Sequence, residues 1–258
     1  MIALVATLGL LGGVLSGLLG IGGGILMAPL LLYVPPLVGQ PGLQMPVVAG
    51  LTIVQSLFAS IAGGLFHYER GTMDVRLALW LGTTMLVTSF LGAWWSARLS
   101  ADVLLVVFSV LATIAALLML TPPASVNAGE SAAGLVGFSR ARAVLLGTLV
   151  GTSGGMVGQS GAFLVIPGMI HVLRVPVRVA IGTTLAVVLL AAIAGTAGKM
   201  ATGQIVWPLA AALAVPAVVG AQVGARLSYR FSPSALRRIL AAVISAAAVR
   251  LWIDVLAG

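Results

Sequence analysis

Two short runs, Gly20-Ile21-Gly22-Gly23-Gly24 and Gly158-Gln159-Ser160-Gly161, interrupt apolar stretches that otherwise read as helix. Each glycine in a helix interior costs about 1 kcal/mol relative to alanine, so a cluster of them needs a reason. A broken helix that restarts at Gly22 or Ser160 presents backbone N–H groups with no intrahelical partner. Such groups carry partial positive charge and bind anions. Glycine lets an anion come close to the backbone, and Gln159 and Ser160 add side-chain donors. Thr52, Gln55 and Ser56 lie early in one apolar stretch, and Thr183 and Thr184 lie at the matching place in another. They are placed either to donate to an oxoanion in a shared cavity or to bond back to their own helices. The candidate substrate-binding residues are therefore Gly22, Gly23, Gly24, Thr52, Gln55, Gln159, Ser160, Gly161, Thr183 and Thr184. Gly9, Gly13 and Gly17, like Gly147, Gly151 and Gly155, recur every fourth residue, a pattern that reads as close helix packing.

The elements that must hold these residues are membrane helices. The 258-residue chain is 60% hydrophobic and 7% charged, against about 25% charged in soluble domains. Apolar segments fall at 3–19, 22–34, 47–66, 77–97, 103–121, 143–157, 161–173, 179–198, 205–225 and 236–256. This is the pattern of an all-α polytopic membrane protein and not of a β-barrel, whose strands alternate. The net charge of +8 comes from twelve arginines and one lysine scattered at segment ends, so it reads as a topology signal and not as a nucleic-acid surface. There is no cysteine, hence no thiolate metal site and no disulfide. No basic residue precedes Arg70, so a cleavable leader is not expected.

The chain repeats itself. Residues 8–31 align without gaps on 146–169, an offset of 138 that carries Gly9, Gly13, Gly17, Gly20, Gly23 and Pro29 onto Gly147, Gly151, Gly155, Gly158, Gly161 and Pro167. Further on, "VAGLT" (48–52) matches "VAIGT" (179–183), and "SARLS" (96–100) matches "GARLS" (224–228). The expected organisation is a first transmembrane repeat over 1–121, a cytoplasmic linker over 122–140 and a second repeat over 141–258.

The positive-inside rule decides how each short pair of segments runs. If 3–34 and 143–173 each cross once, the basic residues divide six to seven and there is no bias. If each pair is instead a hairpin, ten basic residues fall on one side and only Arg98, Lys199 and Arg250 on the other. The hairpin arrangement gives two inverted-topology repeats, each a glycine-tipped broken-helix hairpin plus three transmembrane helices. Both termini then face outward. Arms of 13–17 residues reach roughly 20–25 Å at 1.5 Å per residue, which places the tips inside the roughly 30 Å hydrocarbon core. Paired broken helices meeting near the midplane are a transporter architecture.

"SGLLGIGGGILMAPLLL" (16–32), "GTSGGMVGQSGAFLVIPGM" (151–169) followed by "AIGTTLAVV", and "GARLSYRFSPSALRRIL" (224–240) resemble the motifs of the sulfite exporter TauE/SafE family, also called TSUP, the 4-toluene sulfonate uptake permease-like proteins. The resemblance covers nearly the whole chain in the family's order. It implies a multi-pass transporter of the bacterial or archaeal inner membrane for small anions, typically sulfur oxoanions or organosulfonates such as sulfite. Gln159-Ser160 depart from the second motif, which more often continues with glycine.

The expected partners are a small anionic substrate and the lipid bilayer, with no nucleic acid, cofactor, metal or catalysis. No Asp, Glu or His falls mid-segment, so no carboxylate proton relay is indicated; the coupling ion and any homo-oligomer stay open. His67, Glu69, Arg70, Asp74 and Arg76 read as one solvated turn. The alternatives to a secondary permease are a passive anion channel and a non-transporting membrane scaffold. The charge split predicts the sidedness of the linker: in intact cells a cysteine at Ser125 should resist an impermeant thiol reagent added outside, and labelling would contradict it.

Overall fold

The computed structural model describes residues 1–21, 24–121, 137–159 and 161–257. The described residues form ten α-helices: α1 (Ile2–Leu19), α2 (Gly24–Leu37), α3 (Met45–Glu69), α4 (Val75–Trp95), α5 (Ala101–Leu120), α6 (Arg140–Val157), α7 (Ala162–His171), α8 (Val177–Ala201), α9 (Trp207–Ser228) and α10 (Pro233–Ala257). Each expected apolar segment is one helix. Seven of them, α1, α3, α4, α5, α8, α9 and α10, are long and apolar enough to cross a membrane.

Helix ends follow local chemistry. The Asp74 carboxylate accepts the Leu77 N–H at 2.9 Å to open α4, and the Ser100 hydroxyl accepts the Val103 N–H to open α5, both ordinary N-caps. Gly20 (φ 71°) and Gly158 (φ 77°) end α1 and α6 in the left-handed region, which L side chains rarely adopt. Pro29 and Pro167 sit inside the return arms α2 and α7.

Glycine lets backbones touch. A Cβ on Gly9, Gly13 or Gly17 of α1 would overlap the carbonyls of Leu213, Ala217 and Ala221 in turn, so α1 and α9 run side by side in the same direction. Gly12 faces Gln55 and Gly17 faces Gly63, so α3 runs with them. Likewise Gly151 and Gly155 of α6 meet Met85 and Ser89 of α4, and Gly82 and Gly198 set α4 alongside α8. The close-packing reading of the four-residue glycine spacing therefore holds. Because α1 and α3 run the same way, α2 must carry the chain back, as a hairpin requires.

The contacts recur with partners exchanged. Gly20 packs on Ile181 and Gly158 on Ala49; Gly50 on Gln204 and Gly182 on Thr72; Gly63 on Leu185 and Gly195 on Ile53; Gly92 on Thr152 and Gly224 on Val14. The third pair also makes α3 and α8 antiparallel. Beyond the hairpins the exchanged positions are 132 residues apart, as Gly50 and Gly182 are. The match of "VAGLT" to "VAIGT" is one residue out of this register, and that of "SARLS" to "GARLS" is four out. The true counterpart of Thr52 is Thr184.

Two expectations are corrected. The entering arms α1 and α6 have 18 residues each, so they reach roughly 27 Å, more than the sequence suggested. Their tips do not meet. Gly20 lies beside Ile181, near the start of α8, and Gly158 beside Ala49, near the start of α3. Antiparallel pairing puts those two places at opposite ends of the α3–α8 pair.

Gly155→Ala would drive a Cβ into the Ser89 backbone, whereas Gly64→Ala meets only the Leu185 side chain at an ordinary 3.7 Å. Melting in detergent should show Gly155→Ala destabilised by about 1–3 kcal/mol, and Gly64→Ala unchanged or stabilised by up to about 1 kcal/mol.

Candidate functional site

α3 carries a buried polar stripe. Thr52, Gln55, Ser56 and Ser60 are inaccessible or nearly so, and His67 follows at 2% exposure. They occupy roughly 140° of the helix circumference at 3.6 residues per turn. The matched positions on α8 are Thr184, Val187, Val188, Ala192 and Lys199, also buried but apolar between the threonine and the lysine. The packing is paired while the middle of the stripe is polar on α3 alone, so packing alone does not account for it.

At one end the stripe touches the second hairpin. Thr52 Oγ1 is 2.9 Å from the Gly158 carbonyl and equally 2.9 Å from Val48 O. A hydroxyl has one hydrogen, so it serves these acceptors in turn. Gln159 is wholly buried beside this contact, and both its amide atoms lack a partner. One turn along α3, Gln55 is wholly buried with both amide atoms likewise unpartnered, and its Nε2 lies toward Gly12 and Met27 of the first hairpin. Ser16 of α1 is another buried hydroxyl without a partner. An unsatisfied buried polar group costs about 1–3 kcal/mol. Two unsatisfied glutamine amides, one at the second hairpin's tip and one facing the first hairpin, call for a polar guest.

The other candidates divide. Thr183 Oγ1 accepts the Asp74 N–H at 3.0 Å and ties α8 to the turn before α4. The Thr184 hydroxyl donates to Ala180 O of its own helix at 2.6 Å and touches Met169 Sδ at 3.7 Å. Both lie at the Gly20 end, away from Thr52 and Gln159. Gly24 begins α2, while Gly22, Gly23 and Ser160 lie outside the described residues. Gly161 has φ 67°, and a Cβ there would overlap Val150. Conformation and packing each require a glycine there.

Sequence reasoning missed the ends of the stripe. His67 and Asp74, assigned to a solvated turn, are only 2% and 5% exposed. His67 Nδ1 lies 3.1 Å from Thr72 Oγ1, which is 3.2 Å from the Tyr229 hydroxyl. Arg70 and Arg178 stack on the Tyr229 ring at 5.2 and 5.1 Å. Lys199, assigned to a membrane edge, is wholly buried. Its Nζ donates to Ser96 Oγ (2.7 Å), Gln204 Oε1 (2.8 Å) and Met156 O (3.2 Å). The signal was present: at the 132-residue register Lys199 falls on His67, and each stands four residues before a left-handed glycine, Gly71 or Gly203.

The model of the family described as sulfite exporter TauE/SafE matches residues 5–251. The chain belongs to that family. TauE/SafE relatives include a "Probable membrane transporter protein" of Xylella fastidiosa strain 9a5c, 29% identical over 99% of this chain and 98% of its own length. The "Probable membrane transporter protein YdhB" of Bacillus subtilis is 26% identical over 81% of this chain and 82% of its own. A counterpart in Methanocaldococcus jannaschii is 23% identical over 95% of this chain and 92% of its own. No solved structure matches. This TauE/SafE member is thus a multi-pass membrane transporter protein.

Thr52→Val removes the hydroxyl that reaches across to the second hairpin, while Thr184→Val removes a bond within one helix. The first should cost about 0.5–1.5 kcal/mol and speed amide exchange of Val157 and Gly158. The second should cost less and leave that exchange unchanged. Equal effects would place the Thr52 bond within α3 alone.

Proposed function

We propose that this protein is a secondary transporter of small anions, sulfur oxoanions or organosulfonates, in the cell's inner membrane. The observation that carries the reading is the pair of wholly buried glutamines, Gln55 and Gln159, with unpartnered amides on either side of Thr52. Amide N–H and hydroxyl donors without nearby carboxylates suit an oxoanion better than a cation. The guest site in this reading comprises Thr52 and Gln159 at the second hairpin, with Gln55 one turn along α3. The remaining stripe, Ser56 and Ser60, is a polar path from one hairpin tip toward the other.

The exchanged contacts support inverted repeats. Two copies related by a two-fold contact each other reciprocally, and a two-fold parallel to membrane-spanning helices would leave matched helices parallel. α3 and α8 are matched and antiparallel, so the axis runs across them, in the membrane plane. That is the symmetry of alternating-access transporters. In this reading the charge split sets the sidedness, with both termini outside and the α3–α4 turn inside.

Purified protein in proteoliposomes should exchange radiolabelled sulfite or sulfate with saturation and counterflow. Gln159→Leu and Gln55→Leu should each slow that exchange about tenfold or more, equivalent to roughly 1.4 kcal/mol, while melting no lower than the parent. Flux that rises linearly without saturating or counterflow would make the protein a channel. Normal exchange by both variants would remove the glutamines from the site.

A further inference from the structure

The chain's one lysine is buried where membrane-facing topology residues are not. Ser96 donates its own hydroxyl hydrogen to Ala93 O at 2.6 Å, so toward Lys199 Nζ it acts as an acceptor. Gln204 Oε1 and the Met156 carbonyl are acceptors as well. Three acceptors around Nζ match the three N–H groups of an ammonium, one more than a neutral amine can supply. No carboxylate pairs with this amine among the described residues; the ion pair they contain is Arg250–Asp254, an i,i+4 contact at a helix end. A buried charge is ordinarily neutralised by an opposite charge, and in membrane segments such groups line substrate paths.

The position is specific. Met156 is in the last turn of α6, two residues before the tip glycine Gly158, and Gln159 beyond it holds an unpartnered, wholly buried amide. Gln204, which holds the lysine from the other side, lies with its backbone carbonyl against Gly50, two residues from Thr52 on α3. The amine, the orphan amide and the Thr52 hydroxyl thus converge on one hairpin tip from three elements. All of the amine's partners are neutral, so an arriving anion has a charge to answer.

We infer that Lys199 is the counter-charge of an anion site at the second hairpin tip, shared with Gln159. A small oxoanion entering there displaces a neutral acceptor, first the long Met156 carbonyl contact, and takes its charge-assisted hydrogen bond from Nζ. In the first half the matched residue is His67, so the two tips are unequal: a lysine amine serves one and an imidazole stands at the other. This rests on the anion-transport reading, and the experiment separates the two.

Purified wild-type protein is melted with and without sulfate, sulfite and ethanesulfonate. Binding raises the melting temperature by mass action. Wild type should gain several degrees with at least one probe. Lys199→Gln should lose that gain while melting near wild type in anion-free buffer, and Lys199→Arg should keep part of it. An undiminished gain in Lys199→Gln overturns the assignment and leaves anion transport standing. No gain in wild type with any probe overturns the anion reading itself and the site with it.

Discussion

Backbone-to-backbone contact at glycine is the constraint on which the rest of this molecule depends. In a bilayer, lipid tails are as apolar as leucine, so helices gain little by burying side chains against each other and associate through close van der Waals approach. Here α1 lies on α9, and α6 on α4, at distances where a single methyl group would strike a carbonyl. Those two contacts hold the entering arms of the hairpins upright against long helices. They bring Gly20 and Gly158 to their seats on α8 and α3, and so decide where the chain can stop being helical. Non-helical backbone within a membrane survives only where protein or water satisfies it, and the described turn residues Gly20, Ile21, Gly158 and Gln159 are buried.

The glycine pattern made much of this legible in advance. All ten helices, the hairpin character of the short pairs and the repeated glycine face could be read because each rests on local composition, spacing or charge asymmetry. What escaped reading depends on partners far along the chain. Lys199 looks like an edge residue until Ser96, a hundred residues earlier, and the end of α6 close over it. Asp74 looks solvated until Thr183 covers its backbone. The repeat register drifted because "VAGLT" and "VAIGT" share letters one step out of phase, whereas Gly50 and Gly182 are fixed by the carbonyls they admit. The entering arms were read short because hydropathy began α6 at 143, whereas the Ser139 cap starts it at Arg140.

The residues that do explain themselves sharpen those that do not. Gly161 is demanded by its φ and by Val150; Thr183 and Thr184 have structural bonds of their own. Gln55 and Gln159 have neither a packing nor a hydrogen-bonding account among the described residues. Leucine at either position would suit an apolar core better, so the amides mark a place where the interior is kept polar at a cost in stability, as functional sites commonly are.

Were the two halves identical, an arrangement with Thr52 against Gly158 and its two-fold counterpart, with Thr184 against Gly20, would be equal in free energy, and the molecule would rest half its time in each. Sequence divergence lifts that degeneracy. Every unlike pair, Gln55 with Val187, Ser56 with Val188, Lys199 with His67, weights one arrangement over the other. For a protein working by the proposed alternating access, the resting orientation is the running sum of the differences between the halves. A ligand turns it over only by preferring the disfavoured arrangement by more than that sum.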